Sequence, residues 1–84
     1  MTYKPDRIME FRKVYGEKLA ESMRKHPNQY ARGLTAETVA DKMTAAISQK
    51  GIRAVQYNTP AFKGTAKHFG IGNTAHAWVE WFSG

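Results

Sequence analysis

Three histidines are the residues best placed for specific chemistry: His26, His68 and His76. His76 and Glu80 stand four apart, a spacing that sets two ligands on one helical face. A third ligand from His68 is within geometric reach. The chain has no Cys and no His-Glu-x-x-His run, however, so neither a zinc site nor any other metal or cofactor is expected. Ser22, Ser48 and Ser83 have no base beside them in sequence. The seven Asp and Glu are scattered rather than paired for acid–base work. Gly64, Gly70 and Gly72 are not followed by Gly-Lys-Ser/Thr at the spacing of a phosphate loop. A non-enzymatic protein is expected.

Charge is the stronger signal. Thirteen Lys and Arg against seven acids give a net charge of +6 and a pI near 9.8, a balance that attracts polyanions. Residues 1–33 hold eight basic residues and four acidic ones, so most of the excess is N-terminal. With 84 residues, 42% of them hydrophobic, the chain fits one thin-cored domain over 1–84. The N-terminus lacks the apolar stretch of a secretion signal, and no run reaches the length of a membrane span. A cytoplasmic protein without membrane contact is the expectation.

The elements that must carry these charges are helices. Within 1–26, Ile8, Phe11, Tyr15, Leu19 and Met23 recur at steps of three and four after Pro5, with Met9, Val14 and Ala20 widening the stripe. This predicts one basic amphipathic helix, stopped at Pro27. A turn-rich linker carries Tyr30, Arg32 and Gly33. A second helix is expected over 34–51, with Thr35 as its N-cap, Leu34 stapled back onto its first turn, Val39, Met43, Ala46 and Ile47 inward, and Gly51 as its stop. Residues 52–58 read either as a connector on the helices or as an edge strand that pairs with another copy. Thr59-Pro60 opens a third helix with Phe62, Ala66 and Phe69 on one side. Gly70 ends it, and a fourth begins at Asn73 or Thr74 with Ala75, Val79 and Phe82 inward. The fold class is therefore all-α: four helices, the long first one crossing a C-terminal trihelical unit.

Ala66-Lys67-His68-Phe69-Gly70-Ile71, followed by Asn73-Thr74, resembles the helix-turn-helix family. Ala66 stands where a second helix crosses closely, Gly70 where the turn needs positive φ, and Ile71 where an apolar residue plugs the corner. The match covers residues 59–83 at most. It departs from the family at His76, where an apolar residue is usual. The run from Thr59 to Ile71 is also similar, more loosely, to the C-terminal part of small proteins carried by phages and other mobile elements.

The resemblance implies double-stranded DNA as partner, bound by a dimer, and a role as a phage or mobile-element regulator of transcription or replication. Asn73, Thr74, His76 and Ala77 would face the bases. Lys63, Lys67 and His68 would hold phosphates, with Arg7, Arg12, Lys13, Arg24, Lys25 and Arg32 as a second basic surface. The would-be reading helix has no Lys or Arg, and Glu80 repels phosphate. That deficit favours an alternative: an inhibitor or adaptor that binds a host protein of nucleic-acid processing, with Tyr57 and an exposed Trp81 as interface anchors.

Overall fold

A computed structural model describes residues 3–84, so the first two positions of the expected 1–26 segment lie outside it. Among the described residues there are four α-helices and no strand: α1 Pro5–Lys25, α2 Ala36–Lys50, α3 Pro60–His68 and α4 Ala75–Ser83. Single 3-10 turns follow α1 (Pro27–Gln29) and α2 (Ile52–Ala54). None of the described helices is long and apolar enough to cross a membrane.

Local chemistry accounts for the helix ends. Pro5 and Pro60 occupy first turns, where a missing N–H costs nothing. Thr35, Thr59 and Thr74 cap α2, α3 and α4, each hydroxyl accepting from the backbone N–H three residues on, at 3.1, 3.2 and 3.2 Å. α2 stops at Gly51, at φ +89°. α3 stops in a Schellman turn: Ile71 N–H donates to Ala66 O at 2.8 Å and Gly70 N–H to Lys67 O at 3.1 Å, with Gly70 at φ +68°.

The three later helices are organised by α1. Its buried face is Phe11, Val14, Tyr15, Leu19 and Ser22. Met9 and Ala20, expected to widen that stripe, are exposed instead, Met9 at 71%. α2 runs beside α1 where Gly16 leaves room for Ala40, whose Cβ would lie 3.7 Å from a Cβ on the glycine. Ala40, Thr44 and Ile47 form the buried face of α2; Val39, Met43 and Ala46 are only half-buried at its margins. Leu34 does not staple the helix start but stays 40% exposed. Thr44 and Thr65 are tolerated inside because each hydroxyl donates to the carbonyl four residues back, at 2.9 and 2.8 Å.

The core is aromatic. Phe11 is its hub, with ring centroids 5.1 Å from Tyr15, 5.8 Å from Phe62, 5.3 Å from Trp78 and 5.4 Å from Phe82, mostly tilted or edge-on. Burial pushes the Tyr15 phenol up to about 12, so it stays neutral. Segment 52–58 takes the connector role: Ile52 is fully buried, the Tyr57 ring lies tilted against Phe62 at 5.6 Å, and the chain runs on to Thr59 without forming a strand.

Candidate nucleic-acid interface

Between the C-terminal half of α1 and the start of α3 lies a cleft of about 250 Å³ bounded by Lys18, Glu21, Ser22, Lys25, His26, Pro60 and Gly64. The two helices come close here because position 64 has no side chain. A Cβ there would sit 3.4 Å from Lys18 Cδ, so the lysine stem lies along the glycine. Pro60, Gly64 and Lys67 follow one another by four and three residues, so Lys67 continues the same stripe of α3, and Lys63 borders it. Both lysines are exposed, as is His68, whose ring meets Phe69 edge-on at 5.1 Å.

Helical spacing thus sets Lys63 and Lys67 beside the cleft that Lys18, Lys25 and one carboxylate, Glu21, border. Lys25 Nζ donates to Glu21 Oε1 at 2.9 Å, and this bond, more than the nearby charges, holds the Glu21 carboxyl below its usual range. Lys18, Lys63 and Lys67 form no ion pair among the described residues. The adjoining linker is tied down by Ser22 and Tyr30, whose hydroxyls lie 2.8 Å apart.

The other expected phosphate contacts do not form one surface. Arg7 pairs with Glu10 at 3.6 Å and lies 5.1 Å over the Trp81 ring. Arg12 is bonded to Asp41 and sits 3.9 Å from Glu37, joining α1 to α2. Lys13 lines the opposite, α2 side of α1 with Gly16, Glu17 and Ala20. Arg24 is exposed on α1 and Arg32 is exposed in the linker. A helix 21 residues long displays charges all round its axis, so clustering in sequence did not mean clustering in space.

The expected base-reading group fares differently. Asn73 does not point outward: it is half-buried, its Nδ2 donates to Tyr57 O at 2.8 Å, and its Oδ1 is buried. Ala77 is half-buried as well. Thr74 spends its hydroxyl on the cap, and His76 Nε2 lies 3.2 Å from Glu80. The connector from α3 to α4 spans residues 69–74, longer than the three or four residues of a compact helix-turn-helix. No Cα of α3 comes within 8 Å of one of α4. Ring pairs bridge that gap instead: Phe62–Trp78 at 5.1 Å, Phe69–Trp78 at 6.4 Å and Phe69–Trp81 at 4.4 Å.

Trp81 is therefore no free anchor. It is half-buried between Phe69, Trp78 and the Arg7 guanidinium, and Tyr57 is half-buried beside Phe62. Sequence reasoning passed over Lys18 as a site residue, although a glycine inside the neighbouring helix marks a close approach. Among the described residues no three His, Asp or Glu side chains gather as a metal site would require. Comparison with protein-family models, with curated proteins and with solved structures gave no match.

Proposed function

We propose that the protein binds double-stranded nucleic acid, DNA in the first instance, by its phosphate backbone through the α1–α3 face. The observation that carries this is the approach of Lys18 to Gly64 of α3, the helix on which Lys63 and Lys67 are exposed, with none of the three in an ion pair among the described residues. Such contacts set affinity and salt dependence and carry no sequence information. A duplex is favoured over a single strand because single strands are held by bases stacking on exposed aromatic rings, and every aromatic residue here is buried or half-buried.

In a helix-turn-helix mode α4 would enter the major groove. Only Thr74, His76 and Glu80 of its groove-facing candidates remain exposed, and the last repels phosphate. Little base reading is expected from that set, so α4 serves here to complete the aromatic core. The test is a fluorescence-anisotropy titration of random duplexes against single strands at several salt concentrations. Tighter duplex binding, lost in a Lys63→Ala/Lys67→Ala variant, is the expected result. Binding no better than about 10⁻⁴ M at physiological salt, the weak end of nonspecific association, would refute it. The protein-partner alternative, favoured by the lack of Lys and Arg on α4, would then take its place.

A further inference from the structure

On the α2–α4 side, away from the residues of the α1–α3 face, a second concavity of about 260 Å³ is bounded by Tyr3, Lys50, Gly51, Arg53, His76 and Val79. These come from four places in the chain: the segment before α1, the end of α2, the 3-10 turn after it, and α4. Its walls carry two permanent cations, and no carboxylate is among them. Neither Lys50 nor Arg53 forms an ion pair among the described residues. Glu80, which does not line it, has Oε1 3.2 Å from His76 Nε2.

The floor is polar in a particular way. Tyr3 is 9% exposed, its ring lying 5.2 Å from Phe82. Its Oη accepts from Ile52 N–H at 3.4 Å. No hydrogen bond donated by that hydroxyl is seen among the described residues, so its own proton is free to turn toward the concavity. Gly51 borders the hydroxyl, a Cβ there standing in ordinary contact at 3.6 Å from Tyr3 Oη, and its φ of +89° is one that other residues rarely adopt. The end of α2 places carbonyl dipoles here, which alone would draw one cation. A buried hydroxyl donor beside two unpaired cations goes beyond that need.

From this arrangement we infer that the concavity is a binding site for a dianionic phosphomonoester. Arg53 presents a planar fork that matches two phosphate oxygens, Lys50 supplies a point charge, and the Tyr3 O–H donates from below. The two permanent positive charges on the wall match the dianion, and no carboxylate lines the concavity with them. A phosphodiester, with one charge, fits less well.

The test is titration of the full-length ¹⁵N-labelled protein with inorganic phosphate at about pH 7.5, where the group is mainly dianionic, with dimethyl phosphate as the diester control. Saturable shifts at Gly51, Arg53 and His76 are expected, with the diester binding at least about tenfold more weakly. Lys50→Gln/Arg53→Gln should abolish them. Tyr3→Phe, which keeps the ring, should weaken them while the amide spectrum stays folded. Lys63→Ala/Lys67→Ala should leave them intact, so failure of duplex binding and failure of this site are separate results. A nucleoside monophosphate and a 5′-phosphorylated duplex, competed at the same resonances, tell whether a free nucleotide or a strand end delivers the group. Shifts that never saturate, that the diester reproduces, or that survive loss of both Lys50 and Arg53 would overturn the site and leave those two cations to the dipole of α2.

Discussion

If duplex binding runs through the α1–α3 face, its salt dependence is set by how many lysines there are free to replace counterions. Lys25 is held by Glu21 at 2.9 Å, which leaves Lys18, Lys63 and Lys67. Each neutralised phosphate adds about −0.9 to the slope of log K against log salt. Three contacts give a slope of about −2.7, or an affinity loss of about 40-fold from 50 to 200 mM salt. In Lys63→Ala/Lys67→Ala the slope should fall to about −0.9, and the same change of salt should cost only about threefold.

The control is Lys13→Ala/Arg24→Ala, which removes the same charge from a net +6. Lys13 lies on the α2 side of α1, and Arg24 is not part of the cleft wall. That variant should keep a slope near −2.7. Glu21→Gln should steepen the slope toward about −3.6 by freeing Lys25. Anisotropy titrations of one labelled duplex at four or more salt concentrations read all four proteins. Equal slopes in the two double variants would mean that the protein responds to net charge alone, and the argument from a specific face would fail.

Three further outcomes follow from the same geometry. Asn73→Ala loses the bond to Tyr57 O and should lower stability by about 1 kcal/mol in urea unfolding, with duplex affinity unchanged; an affinity loss in a protein of normal stability would return Asn73 to base reading. Gly70→Ala forces a side chain into φ +68° and should cost about 1–2 kcal/mol, whereas Gly72→Ala, at ordinary φ in open space, should cost much less. The Arg12 hydrogen bond holds the Asp41 carboxyl below its ordinary 3.8, so that pair stabilises the fold above this value and is lost as pH falls through the lower, folded one; Asp41→Asn should flatten acid unfolding in that window, and an unaltered acid limb would show the pair to be idle.

How much of this was legible in the sequence divides by range. Thr35, Thr59 and Thr74 cap, Pro5 and Pro60 open, and Gly51 and Gly70 close, because each of those acts on backbone groups within a few residues of itself. The all-helical class follows from the same local rules together with period-3.6 burial. What periodicity leaves open is which neighbour each side of a helix meets. It marks the inward face of α1 but not that Lys18 and Lys25 border α3 while Lys13 borders α2, since that depends on where Gly16 and Gly64 admit other chains.

The same limit explains the fate of the last helix. Asn73 and Thr74 sit where a reading helix would begin, and in isolation both side chains could face DNA. The fold claims them first. Phe62, Phe69, Trp78 and Trp81 are too bulky to let α3 and α4 close on one another, so the joint between them spreads over residues 69–74. A longer joint has more backbone to hold in place, and the part-buried carbonyl of Tyr57 beside it also needs a donor. Asn73 supplies that donor. An aromatic core large enough to stabilise 84 residues without disulfides thus leaves little of α4 for base reading, and the proposed polyanion-binding face falls instead to α1 and α3, where Gly64 lets Lys18 lie against α3.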